Sequence, residues 1–403
     1  MTAFFHTQSF SLRYAFPVVF TRHLFAPRNT TLLRVIPPAE PAGPARCLVI
    51  VDSALPRAFP ELSAQIRAWF AAHERYVFLP RVPLILPGGE RAKQQSKVLV
   101  EPLLDALQSA AICRHSYCIA IGGGAFLDAA GLAAALFHRG VRLIRVPTTA
   151  LSQCDSGVGV KNAINHRGAK NLLGTFAPPW AVLNDSAFLD VLPRPALLDG
   201  IAEAVKVSAI RSPALFRRIE QAAPQIARGR LPVLRTILRD CALLHLRHIA
   251  TSGDPFEMGS ARPLDYGHWI AHKLETLSGH RLSHGHAVSI GIATDALYAA
   301  AMHLLPEASA WRIVHTLRAC GLPVTAPEIL WTATRRHPRS ATPSDLRILQ
   351  GLEEFRSHLG GSLTLTLPSP RMGHSTEIHA IDPAILRPIL QTLAHLPPLP
   401  SRT

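Results

Sequence analysis

The run from Tyr117 to Pro147 constrains this chain more than any other. Tyr117-Cys118-Ile119-Ala120-Ile121 is continuously apolar and reads as a buried strand. Gly122-Gly123-Gly124 turns the chain, Ala125 to His138 is a helix of small residues, and Val141 to Val146 is a second apolar strand. Strand, helix, strand at this spacing is a βαβ unit, which implies parallel strands. Glycines between strand and helix let backbone N–H groups approach a phosphate, and the helix N-terminus favours its charge. The spacing is not G-x-G-x-x-G, so the standard dinucleotide fingerprint is absent. Asp128, in the first helical turn, is equally well explained as a helix-dipole residue.

Lysine supplies a second constraint. Of 42 basic residues only six are Lys: Lys93, Lys97, Lys161, Lys170, Lys206 and Lys273. A drift toward Arg spares Lys where a compact ammonium is needed and a planar guanidinium does not fit. Four of the six lie in short polar segments: Pro87 to Lys93, Asp155 to Lys161, Gly168 to Asn171, and Glu203 to Lys206. That pattern points to a site for an anionic ligand, most simply phosphate.

The remaining composition narrows the class. At 403 residues the chain has room for two domains. The +15 formal charge is spread, with no basic run longer than Arg217-Arg218 or Arg335-Arg336, so nucleic-acid binding is not expected. None of the six cysteines forms C-x-x-C, which argues against a cysteine-ligated metal. Met1 to Ala15 lacks a secretory pattern, and no stretch approaches ~20 apolar residues. A cytoplasmic protein with reduced thiols and no membrane span is expected.

Elsewhere, residues 8–36 read as extended segments broken at Pro27-Arg28-Asn29, and Pro37 to Pro44 as a turn region. Cys47 to Val51 is a buried strand ending in Asp52, and Ala58 to Arg75 has helical periodicity. Tyr76 to Leu79 and Leu84 to Leu86 resemble strand ends. From about Pro193 the pattern is mostly helical, with a β-like run at Leu363 to Leu367 and a Pro-rich tail from Leu396. The expected division is 1–186 α/β, 187–395 helical, and 396–403 a disordered tail.

Two helical spacings bear on chemistry. Glu203 and Lys206 share a face at i,i+3, and His268 and His272 share one at i,i+4, with His284 following. Each pair alone fits an ordinary surface. Two imidazoles and a carboxylate from separate helices also suit a divalent metal with open positions.

Together these segments resemble the dehydroquinate synthase family, the sugar phosphate cyclases. The likeness runs from about 85 to 295 in order: Pro87 to Lys93, Gly122 to Asp128, Arg139-Gly140, Pro147-Thr148-Thr149, Asp155 to Lys161, Lys170-Asn171, Gly200 to Lys206, Gly267-His268 with His272, and His284-Gly285. Val160-Lys161-Asn162 and Ala250 to Pro255 look more narrowly like the dehydroquinate-synthase-like branch of bacterial Ebo-type clusters. The resemblance implies a Rossmann-like NAD-binding α/β domain and a helical metal- and substrate-binding domain. It implies zinc or cobalt on Glu203, His268 and His284. It implies NAD contacts at Asp52, Glu90, Lys93, Gly122, Gly123, Gly124, Asp128, Thr148, Thr149, Asp155, Lys161, Lys170, Phe188 and Leu189. The sugar phosphate would meet Lys161, Asn171, Lys206, His272 and Arg262. Arg139 would reach a neighbouring subunit's site, which implies a homodimer. The implied reaction oxidises a ring carbinol transiently, eliminates phosphate, restores the hydride, and closes a carbocycle by intramolecular aldol addition.

The match departs at the substrate end. Dehydroquinate synthases carry Leu-Asn-x-Gly-His where this chain has Leu264-Asp265-Tyr266-Gly267-His268. The family lysine ahead of that segment is replaced by Arg247 or His248, and Arg262 sits about one position from the family's substrate arginine. His286 stands where a Glu usually follows the third ligand. An Asp at 265 repels a carboxylate, so a C7 sugar phosphate without one is expected, as for the valiolone-type cyclases. Two alternatives stand beside this. One is an NAD- and metal-dependent alcohol or glycerol dehydrogenase of the same superfamily, which needs no phosphate lysines. The other is a catalytically degenerate binding homologue, motivated by Asp265 and His286.

Overall fold

The apolar runs become the centre of a parallel sheet. The computed structural model describes residues 3–37, 43–167, 169–257, 259, 263–332, 345–358 and 361–397. Its first nine strands are β1 (Val18–Thr21), β2 (Ala45–Asp52), β3 (Val77–Phe78), β4 (Leu84–Leu86), β5 (Tyr117–Gly122), β6 (Arg142–Pro147), β7 (Lys161–His166), β8 (Ala169–Phe176) and β9 (Ala181–Asp185). Seven of them form one sheet in the order β1-β9-β6-β5-β2-β3, with β4 also on β2. Its pairings are all parallel. Strands β2 and β5 are buried along nearly their whole length, which explains their unalternating apolar sequence. One helical layer, containing Leu62–Ala72, covers one face. Helices Val100–Ser109 and Gly124–Leu136 cover the other.

Strand order fixes where a ligand can enter. From β2 the chain builds outward through β3 and β4, then returns to the opposite side of β2 with β5. Helices leave in different directions at that reversal, so a crevice opens beyond the carboxyl ends of β2 and β5. Asp52 and Gly122 stand at those ends.

After β9 the chain is mainly helical, as expected. Helices Arg194–Arg211, Leu231–Thr251, His268–Leu277 and His284–Ala301 share one large core with Pro213–Ala227, Glu307–Ala319 and Pro383–Ala394. Arg194–Arg211 and His284–Ala301 are apolar or small on most sides and are correspondingly buried. The β-like run near Leu363 is strand Leu365–Pro368, paired antiparallel with Ser375–Ile378.

Two local expectations are corrected. Residues 31–35 are helical rather than extended: Thr31–Val35 buries Leu32 and Val35. Asn29 starts that turn by accepting from the Thr31 N–H at 2.9 Å, which the reading of Asn29 as a mere break overlooked. Strands β7 and β8 had no strand signature. They form a separate antiparallel hairpin with a register shift at Ile164/His166, and most of β8 is exposed. Such a strand needs no alternation of apolar residues. Gly168, Arg262, most of the Pro37–Pro44 turn and most of the Pro-rich tail lie outside the described residues.

Candidate active site

Three helices bring the metal candidates together. Glu203 lies in the middle of Arg194–Arg211, His268 opens His268–Leu277, and His284 opens His284–Ala301. Their ligand atoms lie within 4.8 Å of one another. Glu203 is fully buried, and its Oε1 accepts no hydrogen bond. That oxygen faces His284 Nε2 at 3.6 Å. His268 Nδ1 is 3.2 Å from the Tyr266 carbonyl, and His284 Nδ1 is 3.2 Å from Glu275 Oε2. Each ring therefore commits Nδ1 as donor and leaves Nε2 for a metal. Burial, then Lys206 and the neighbouring imidazoles, push His268 well below the usual histidine range, so it is neutral and ready to ligate. Burial opposes charge on His284, but Glu275 outweighs it and holds the ring at about 9. A divalent cation replaces such a proton on binding. An orphaned carboxylate oxygen and two oriented imidazoles fit zinc, with positions left open.

Around the triad lies a charge network. Lys206 Nζ is 2.5 Å from Glu203 Oε2 and 3.8 Å from Asp155 Oδ2. Burial opposes its charge, yet Asp155 and Glu203 hold the ammonium above the usual lysine range. Asp155 Oδ1 meets His245 Nδ1 at 2.6 Å. Burial opposes charge on Asp155 too, but Lys206 and His245 keep it well below the ordinary carboxylate range. Asp155 thus belongs to the metal side of the cleft. Asp265 acts electrostatically on both Lys206 and His272. His272 stacks edge-on beside His268 at 5.5 Å between ring centroids, and burial pushes it down to about 4.

The glycine turn supplies the other half. Gly122 ends β5, and Gly123 precedes helix Gly124–Leu136. A Cβ on Gly124 would lie 2.4 Å from Ser156 Oγ, so any larger residue would have to displace that hydroxyl. Ser156 Oγ is itself buried without a partner, a polar atom left over in the cradle. Thr148 N–H donates to the Gly122 carbonyl at 3.0 Å, placing the two strand ends side by side. Thr149 caps helix Ala150–Cys154 reciprocally with Ser152. Lys93 Nζ meets Asp128 Oδ2 at 2.7 Å. Asp52 is buried against Gly88, and Glu90 is exposed just beyond. A free helix N-terminus, a glycine cradle and an orphaned hydroxyl fit a dinucleotide phosphate.

Other expected residues stand differently. Phe188 and Leu189 are core side chains, Phe188 edge-on to Phe59 at 5.1 Å, so only their backbone is available to a cofactor. Lys161 reaches Glu257 at 2.5 Å, and Lys170 reaches Glu275 at 3.2 Å, so the hairpin leans on the helical half through both lysines. Asn171 is exposed on β8 in left-handed backbone, its N–H bonded to Asn165. Arg139 is exposed at the far end of helix Gly124–Leu136, about 20 Å from the glycine turn. It does not join the site of its own chain. Of the two replacements ahead of His268, Arg247 is exposed. His248 is the one that feels Lys206 and Lys161.

Glu275, Glu257, His245 and Arg145 were not singled out from sequence. Glu275 was findable, since it follows His268 and His272 on one helical face. His245 and Glu257 carried no local signal. Arg145 read as a strand residue. It is fully buried and donates to the Gly159 and Lys161 carbonyls and to Asn162 Oδ1, bracing the start of β7. His286, an unexpected residue beside the third ligand, bonds Ser283 and meets Asp199 Oδ1 at 3.1 Å. It ties its helix to the one bearing Glu203, and the triad is intact.

A family model described as 3-dehydroquinate synthase N-terminal matches residues 83–199, and its C-terminal counterpart matches 200–338. The 3-dehydroquinate synthase of Geobacter sp. (strain M21) is 38% identical over 61% of this chain and 67% of its own. A 2-epi-5-epi-valiolone synthase of Streptomyces glaucescens is 33% identical over 77% of this chain and 76% of its own. Among solved structures, a 2-epi-5-epi-valiolone synthase from Streptomyces hygroscopicus subsp. jinggangensis 5008, with NAD+ and Zn2+ bound, superposes with a TM-score of 0.80. It is 27% identical, over 96% of this chain and 99% of that one.

Proposed function

This chain belongs to the 3-dehydroquinate synthase family, and within it we propose an NAD- and zinc-dependent cyclase for a C7 sugar phosphate that carries no carboxylate. It is a lyase of phosphate esters, and family membership removes the dehydrogenase alternative. A degenerate binding homologue, motivated by Asp265 and His286, stays the second reading, and failure of the loaded protein to release phosphate from any C7 sugar phosphate would favour it. The observation that carries the substrate class is the charge at the carboxylate end. Asp265 faces Lys206 and His272, Arg247 is exposed, and burial with nearby cations pushes His248 down to about 4. That corner sets an acidic side chain beside Lys206, a cation already shared by Asp155 and Glu203, and leaves His248 a neutral imidazole at neutral pH.

When bound, the metal supplies Lewis acidity at the substrate hydroxyls and NAD supplies reversible hydride acceptance. Glu203, His268 and His284 would hold the metal, with Glu275 orienting His284. Gly122–Gly124, Ser156 and Thr148–Thr149 would receive the dinucleotide phosphates. Lys161, Lys170 and Lys206 would neutralise the departing phosphate, and Lys206 stays cationic because Asp155 and Glu203 surround it. His272, neutral at pH 7, can accept a proton from a substrate or phosphate oxygen.

The same reading sets a domain boundary near residue 186, supported by the end of β9 at Asp185. The junction of the two family models falls slightly later, at 199 and 200. It includes a homodimer, supported by the outward position of Arg139. It includes a cytoplasmic setting, supported by six free thiols. No described helix is long and apolar enough to cross a membrane.

Purified protein loaded with zinc and NAD should release phosphate from a neutral C7 ketose phosphate and form a carbocycle. Efficient conversion of the carboxylated heptulosonate phosphate to dehydroquinate would overturn the substrate class.

A further inference from the structure

Asp295 is a buried carboxylate with no place in the chemistry above. It lies in helix His284–Ala301, about three turns beyond His284, and is 1% exposed. Its Oδ2 accepts from the Gly267 N–H at 3.0 Å, and its Oδ1 accepts from Trp269 Nε1–H at 3.0 Å. The two donors flank His268. No cation pairs with this carboxylate in either bond, so burial raises its carboxyl to about 7. A leucine there would carry no such penalty. The presence of an acid there calls for a geometric reason.

The contacts supply one. Gly267 precedes helix His268–Leu277 in left-handed backbone, φ 80°, and has no side chain with which to cap it. Asp295 instead accepts from the N–H of Gly267 itself and so fixes the chain where it enters the helix. The same junction is pinned by Tyr266 Oη, which donates to the Ile292 carbonyl at 2.9 Å. At Gly291 a Cβ would sit 1.9 Å from the Gly267 oxygen, so the two backbones touch. His268 takes its ring orientation from the Tyr266 carbonyl, within the segment that Asp295 holds. Both histidine ligands are thus referred to one rigid element, His284 directly and His268 through Asp295.

We propose that Asp295 is a positioning residue that fixes the 266–268 backbone and so aims His268 Nε2 at the point shared with His284 and Glu203. The proposal rests on the metal reading given above.

The test measures zinc affinity by chelator competition and the visible spectrum of cobalt-loaded protein. In Asp295→Asn the amide NH2 must face one of two N–H donors, so one bond becomes a clash. Zinc affinity should fall roughly ten- to a hundredfold, the range seen when groups behind metal ligands are removed, and the cobalt bands should shift. Leu390→Ala, a fully buried core change in the same helical half, controls for general destabilisation and should leave both readouts at wild-type values. Should Asp295→Asn not fold, Trp269→Phe removes one of the two donors and should weaken zinc several-fold. Wild-type affinity and spectrum in whichever variant folds would overturn the proposal. So would an equal loss in Leu390→Ala. Failure of the wild type to take up zinc sinks the metal reading and this proposal together, whereas normal uptake with an unaffected Asp295 variant sinks this proposal alone.

Discussion

Glu275 holds His284 and Lys170 at once, its Oε2 3.2 Å from the ring Nδ1 and its Oε1 3.2 Å from the ammonium. One carboxylate therefore orients a metal ligand and restrains a lysine of the opposite half. Burial opposes its charge, yet His284 and Lys170 keep it below the usual carboxylate range, so it is ionised at neutral pH.

Glu275→Gln tests that double duty. A glutamine can still accept from His284 but loses its charge, so Lys170 is released and the imidazole becomes less basic. Zinc affinity should drop roughly tenfold or more, with the KM for the sugar phosphate altered as Lys170 is freed. Chelator competition and steady-state kinetics on the same preparation separate the two effects. Unchanged zinc affinity would mean that Glu275 is only an ion-pair partner.

Arg139 sits beyond the reach of its own glycine turn, at the opposite end of a 13-residue helix. Arg139→Ala should lower kcat/KM while leaving zinc uptake intact. Mixing it with inactive Lys206→Ala protomers should restore part of the activity if sites are shared across subunits. Sedimentation of the wild type as a monomer would end this prediction.

The fold was legible because its central strands are apolar throughout and its key helix follows three glycines. The β7–β8 hairpin was not, since exposed strands carry no burial pattern. The metal triad came from the family resemblance, since spacing alone paired Glu203 with Lys206 and His268 with His272 and left each pair open to an ordinary reading. Of its supporting residues only Glu275 lay on a readable helical face: Asp295 meets Gly267 and His245 meets Asp155 only after the chain has folded. A spacing rule sees one helix at a time, and these contacts join two.

His248 gives stability a pH dependence. Burial first, then Arg211, His245, Lys206 and Lys161, push its folded value down to about 4, against about 6.5 in an unfolded chain. Between those values the unfolded chain binds a proton that the folded one does not, so stability rises with pH there. The contribution is complete above about 6.5 and is lost as pH falls toward 4. Urea unfolding at several pH values should show a shallower slope over this window in His248→Gln than in the wild type. Identical slopes would mean that His248 titrates normally.

The proposed substrate class rests on the charge of Asp265. A substrate carboxylate beside it would meet a like charge in a partly dehydrated cleft, costing on the order of 1–4 kcal/mol at 4 Å. His248 cannot offset this, being neutral at pH 7, and Arg247 is exposed. Asp265→Asn removes the repulsion and supplies an amide donor. It should raise kcat/KM for the carboxylated heptulosonate phosphate by roughly ten- to a hundredfold, the lower part of that energy range. Turnover of the neutral C7 ketose phosphate should fall or stay level, because Lys161 and Lys170, which do not touch Asp265, continue to bind phosphate. Zinc content should not change, since Asp265 is outside the triad. The comparison is one of ratios on matched preparations. An unaltered ratio of the two substrates in Asp265→Asn would place discrimination elsewhere and remove the charge argument from the substrate assignment.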